Sequence, residues 1–239
     1  MELTILLFAV LPAALLVLYI YLRDRYQREP IGQILKGVLY GIISAVLAAY
    51  LESALQLVGL VTESAATWLG AGWNAFVGAA MPEEATKLLM LWLLLRRNKY
   101  FDERFDGIVY ACCVGMGFAG TENILYLFGN IDSWQSVAVS RAIFAVPAHF
   151  MFAVAMGYFY SKVHFREMSR SYRSLVFVVP VVMHGIYDGL LFVANVSPQV
   201  AGVILLCFYM FCFWMFRVSR QRIREQIAAD DPNNLIFRV

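Results

Sequence analysis

Seven apolar stretches dominate the chain, near residues 3–22, 31–51, 73–95, 107–129, 137–160, 175–196 and 199–216. Each is long enough to cross the ~30 Å hydrocarbon core of a bilayer as a helix. Lipid offers backbone N–H and C=O groups no partner, so such a segment must satisfy them internally. The alternation expected of barrel strands is absent. The pattern therefore predicts an all-α polytopic membrane helix bundle with about seven transmembrane helices. The connection 52–72 is ambiguous, because Leu55–Val61 reads as an interfacial helix or as a re-entrant turn.

Composition narrows the class. The 239 residues are 61% hydrophobic and 15% charged, with a mean hydropathy of +0.67. A soluble domain is nearer ~45–50% apolar and ~25% charged, which excludes soluble-enzyme, disordered and collagen-like chains. The net charge of +2 says little; its placement says more. Arg23, Arg25 and Arg28 follow the first stretch, and Arg96, Arg97, Lys99 and Arg104 follow the third. Lys162, Arg166, Arg170 and Arg173 follow the fifth, and Arg217, Arg220, Arg222, Arg224 and Arg238 follow the last. No basic residue lies in the N-terminus or in loops 52–72, 130–136 and 197–198. The positive-inside rule then puts the N-terminus outside and the C-terminus in the cytoplasm.

The expected organisation is one transmembrane domain over 1–216 and a basic cytoplasmic tail over 217–239. That tail starts as a helix, lies on the inner leaflet or in solvent, and stops at Asp230–Asn234. The first stretch lacks a basic start and is followed at once by Arg23 and Arg25, which reads as an uncleaved anchor. Cys112, Cys113, Cys207 and Cys212 all fall inside spans without CxxC spacing, so they read as packing residues.

Three basic residues remain, Lys36, Lys87 and Arg141, and Lys36 is near enough to a span end to snorkel. Glu83, Glu84, Glu122, His149, His184 and Asp188 also lie inside spans. A mid-bilayer charge costs ~2.5–3.5 kcal/mol on insertion scales, so such groups normally face an internal cavity. Measured at ~1.5 Å per residue from the outer end of each span, the acidic and His residues lie ~10–18 Å deep, in one slab. Arg141 sits above that slab at ~6 Å. Glu83 and Glu84 can both reach Lys87, at i+4 and i+3, and His184 can reach Asp188 at i+4. Phe118 and Glu122 share a face, and Asn123 adds an amide beside them. Glu83 and Glu84 point roughly 100° apart, so at most one aims directly at a reaction centre.

Pro82, Pro147 and Pro180 shortly precede Glu83, His149 and His184, where each opens the helical hydrogen-bond ladder. Gly115, Gly117 and Gly120 fit close helix packing on the approach to Glu122. Asp106 reads as a helix cap and His164 as a solvated loop residue.

Read in order, the motifs are Pro82-Glu83-Glu84-Ala85-Thr86-Lys87, Asp106-Gly107-Ile108-Val109-Tyr110, Gly117-Phe118-Ala119-Gly120-Thr121-Glu122-Asn123, Arg141…Pro147-Ala148-His149 and His184-Gly185-Ile186-Tyr187-Asp188-Gly189. This set resembles the PrsW family of intramembrane proteases, over roughly residues 30–200. The resemblance implies peptide-bond hydrolysis at or near the outer membrane face, with Glu83, Glu84 and His184 essential. Its best-known family role is site-1 cleavage of a single-pass, membrane-anchored anti-sigma factor. More distantly, the chain is similar to the CAAX-processing and bacteriocin-immunity membrane proteases. There, the second motif carries a histidine where this chain has Glu122, and His149 could supply that imidazole from the fifth span.

Two mechanisms are compatible with these residues. Without a metal, Glu83 or Glu84 deprotonates a water while His184 and Asp188 orient the carbonyl or its oxyanion. With zinc, His149, His184 and carboxylates such as Glu122 hold the ion and a remaining glutamate is the base. Lys87, Asn123 and Arg141 are supporting residues, Lys87 chiefly as a charge balancer. Expected partners are the bilayer and a single-pass protein substrate, with no nucleic acid, in a bacterial cytoplasmic membrane. The competing reading is an ion- or proton-coupled transporter, since relays use the same residue types. No pairing of repeated halves supports it.

Overall fold

The computed structural model describes residues 1–62 and 64–233 and, among these, contains helices and no strand. Arg238 and Asn234 lie outside the described residues. The helices are α1 (Glu2–Arg23), α2 (Ile31–Leu57), α3 (Trp68–Trp73), α4 (Met81–Leu95), α5 (Asp106–Gly129), α6 (Trp134–Ser140), α7 (Val146–His164), α8 (Leu175–Val196) and α9 (Ala201–Ala229). A π-helical stretch, Asn74–Ala80, joins α3 to α4, and another, Arg141–Ala145, joins α6 to α7. Six of the resulting helical runs are long and apolar enough to span a membrane. The third expected span is the continuous helical run 68–95, which carries Glu83, Glu84 and Lys87 and is not among these six.

Boundaries move in two informative places. Helix α2 continues to Leu57, and Gly59 then turns the chain at φ +71°, with Leu60 N–H donating to the Leu55 carbonyl. Leu55–Val61 is thus the end of α2 and its cap, neither an interfacial helix nor a re-entrant turn; glycine adopts the left-handed cap without steric cost. Position 217 lies inside α9, which runs unbroken to Ala229 and buries Ile223 and Gln226. Tyr158 of α7 donates to Glu225, and the Asp230 carboxylate accepts the N–H groups of Arg104 and Phe105. The described part of the tail therefore packs against the bundle. Asp106 accepts the N–H groups of Asp102 and Glu103, so it ties down the preceding turn and does not cap α5. All four cysteines are free.

Helix α5 is the hub, with α1, α2, α4 and α7 packed around it. Its crossing with α2 is a backbone-to-backbone contact. A Cβ on Gly41 would lie 2.1 Å from the Val114 carbonyl oxygen, and one on Gly117 would lie 2.1 Å from that of Val38. In lipid, association relies on this kind of close packing because tails are as apolar as leucine. At the opposite end from the intramembrane acids, a polar knot ties the α1–α2 loop to α5. The Tyr110 hydroxyl donates to Glu29, and the Asp106 carboxyl lies close by.

Substituting Gly117 by leucine forces α2 off α5 and should cost at least ~1–3 kcal/mol by overpacking. Thermal unfolding of the purified protein in detergent checks this; an unchanged midpoint refutes the contact. Burial, with Asp24 and Asp102 nearby, pushes the Glu29 carboxyl up from 4.5 to about 7. The folded state thus holds this proton more tightly than the unfolded chain. The stability it supplies is fully present below pH 4.5 and is lost as pH rises through about 7. The unfolding midpoint should fall over this range, and Glu29→Gln should flatten the slope.

Candidate active site

Two π-turns set the geometry. A proline lacks the N–H for an α-helical bond, and its ring collides with the carbonyl four residues back. Just before Pro82, Met81 N–H donates to Phe76 O, and just before Pro147, Val146 N–H donates to Arg141 O. Both are five-residue bonds, and the wider turn relieves the clash and rotates the helix that follows. Pro180 instead sits within α8. Helix α8 closes tightly on the first π-turn at Gly185, where a Cβ would lie 2.4 Å from the Phe76 ring. That contact places His184 against the start of α4.

All nine residues expected from the sequence come together. Glu83, Glu84, His149 and His184 each offer a ligand atom, and these atoms lie within 4.8 Å of one another. Lys87 Nζ sits among them, 3.0 Å from Glu83, 2.8 Å from Glu84 and 3.1 Å from His149 Nδ1. The same ammonium lies 3.8 Å from the centre of the Phe118 ring. His184 Nδ1 is 3.0 Å from Glu84, and its Nε2 is 3.1 Å from Asp188. His149 repeats the arrangement: Nδ1 faces the cluster, and Nε2 lies 2.9 Å from Glu122. Phe152 stacks on His184 at 4.7 Å and meets His149 edge-on.

Behind these lies a fixed backing. Arg141 donates to Glu122 at 2.6 Å and to Asn123 at 2.5 Å, and stacks 3.9 Å from the Tyr126 ring. Asn123 donates in turn to the Ala9 carbonyl of α1. Glu122 is therefore held between a guanidinium and His149, outside the four-residue cluster.

The cluster forms one wall of a cavity of about 680 Å³ between α2, α4, α5, α7, α8 and α9. Glu83 lines the cavity and is 6% exposed, whereas Glu84 is fully buried at 0%. Glu52 also lines it, and the sequence reading missed it by ending the second span at 51. The signal was present: Ala45, Ala48, Ala49 and Glu52 follow i, i+3, i+4, i+7 spacing and share the cavity face.

The donor set also fits a metal. Two imidazoles and two carboxylates are zinc-type ligands, and the buried Glu84 Oε2 has no hydrogen-bond partner. His149 and His184 each carry a carboxylate on the nitrogen that faces away from the cluster, as metal-bound histidines commonly do.

The PrsW intramembrane metalloprotease family matches residues 29–216. A curated relative named Protease PrsW, from Clostridioides difficile (strain 630), is 32% identical over 224 residues, covering 92% of this chain and 91% of its own. Another, from Geobacillus kaustophilus (strain HTA426), is 33% identical over 201 residues, covering 84% and 85%. A third, from Bacillus subtilis (strain 168), is 32% identical over 182 residues, covering 75% and 79%. No solved structure matches. The transporter reading falls with these matches: the chain is a multi-pass integral membrane protein and belongs to the PrsW family of intramembrane metalloproteases.

Proposed function

We propose that this intramembrane protease is metal-dependent, with His149, His184 and Glu84 as the metal-holding set and Glu83 as general base. The observation that carries the reading is the convergence of these four residues on the wall of one cavity, with Glu83 facing the space and Glu84 behind it. A bound zinc-type ion would polarise the scissile carbonyl and acidify a water. With the ion bound, Asp188 and Glu122 would each accept an N–H from Nε2 of their histidine, leaving both Nδ1 lone pairs for the ion. Lys87 balances the carboxylate charge. Glu83 takes a proton from water; the resulting hydroxide oxygen bonds to the peptide carbon. Glu83 then returns the proton to the leaving nitrogen as the C–N bond breaks.

The substrate is a single-pass membrane protein, of which a membrane-anchored anti-sigma factor is the instance the family resemblance suggests. The N-terminus is outside, the chemistry lies within 1–216, and cleavage is toward the outer face. In support, the cluster is at the start of α4, whereas Arg96 and Arg97 follow that helix's other end.

Glu83→Gln and Glu84→Gln should each lower cleavage of a membrane-anchored reporter by about 10²–10⁴-fold at equal expression. Retained cleavage in both variants sinks the assignment. Metal analysis separates the ligands from their supports. His184→Ala should lose the ion outright, while Glu122→Gln and Asp188→Asn should weaken its affinity by about 10–100-fold. Full activity after stringent chelation refutes the metal.

A further inference from the structure

A second and larger cavity lies at the other end of the bundle. It is a groove of about 1250 Å³ between α4 and α8, floored by α7. Leu88, Leu89 and Trp92 of α4 and Val176 and Phe177 of α8 make its apolar walls, within the membrane-spanning part of these helices. Ala85 closes its upper end, next in sequence to Glu84.

The mouth of the groove is cationic. It is rimmed by Arg166 and Arg173, in the segment between α7 and α8. Among the described residues neither arginine has an ion pair. Glu167, the carboxylate on the same rim, is already engaged by Arg104 and by Lys162 at 2.7 Å. The backbone adds a separate observation. Arg166 has φ +61°, the left-handed turn that ends α7, fixed by Glu167 N–H and Met168 N–H donating to the Lys162 carbonyl. Glycine occupies such a position freely and a β-carbon residue only at a cost. An arginine held there at the rim is an outlier of the kind that marks ligand clamps.

We propose that this groove binds one anionic phospholipid of the phosphatidylglycerol type. Its phosphate pairs with Arg166 and Arg173, and its acyl chains fill the space between α4 and α8. A slot open to the bilayer cannot stay empty, and its walls match hydrocarbon while its rim matches a phosphate diester. The rim charge also selects against the competing occupant, a substrate's transmembrane segment. Such a segment carries its own Lys and Arg excess at its cytoplasmic end, where it would meet two unpaired guanidinium groups. With its chains below Ala85, the lipid braces α4 against α8, the two helices that supply Glu84 and His184.

The test is native mass spectrometry of the full chain, purified in detergent after exposure to vesicles of phosphatidylglycerol or of phosphatidylcholine. One phosphatidylglycerol should be retained in preference to phosphatidylcholine. The double variant Arg166→Gln, Arg173→Gln should retain it at least about tenfold less. Leu89→Trp, which fills the groove without changing charge, should do the same, and helicity by circular dichroism reports that each variant is folded. Equal retention of the two lipids, or unchanged retention in either folded variant, overturns the proposal. So does competition by soluble glycerophosphoglycerol as strong as by the lipid. A photo-crosslinker at Leu89 should capture lipid; capture of a protein segment instead also overturns it.

Discussion

The intramembrane polar groups that line the cavity are organised around one buried ammonium. Lys87 contributes a positive charge deep among helices, and such a charge is tolerated only when paired and hydrogen-bonded. Its partners, Glu83 and Glu84 on the same helix and His149 on α7, satisfy that requirement, and the Phe118 face adds a cation–π contact from α5. His184 joins through Glu84. One compensation problem thus fixes the relative positions of four helices, and a metal-capable donor set is the arrangement that solves it.

The apolar scaffold is built to let those groups meet. Gly41 and Gly117 bring α2 and α5 into backbone contact, and Gly185 lets α8 close on the first π-turn. The two π-turns, each relieving a proline, aim α4 and α7 so that Glu83 and His149 face the same space. The motif prolines and glycines serve geometry, and the acids and histidines supply the donor set. The paired carboxylate–histidine arrangements, Glu122 with His149 and Asp188 with His184, give the site a near-symmetry across two helices.

The site was unusually legible because lipid makes charge rare. In a chain with 15% charged residues, any carboxylate inside an apolar stretch stands out without an alignment. Helical spacing then foretold the pairs at Glu83–Lys87, Glu84–Lys87 and His184–Asp188, all of which form. Glu52 escaped because it lies one residue beyond the apolar run that ends at Leu51. Helix α2 goes on to Leu57, where the glycine at 59 can turn the chain. The Asp230 contact with the α4–α5 loop escaped for a different reason: it joins residues more than a hundred positions apart, and no local periodicity encodes it.

By itself, the sequence determined the helical class, the approximate spans, the short list of intramembrane polar residues and the pairs within a single helix. These follow from backbone satisfaction in lipid and from a 3.6-residue repeat, both local constraints. Only the tertiary structure decided which carboxylate faces the cavity and which lies behind it. It also decided that Glu122 backs His149 instead of joining the cluster, and that the tail packs on the bundle. Those outcomes depend on how helices rotate and cross, which is set by contacts between residues far apart in the chain.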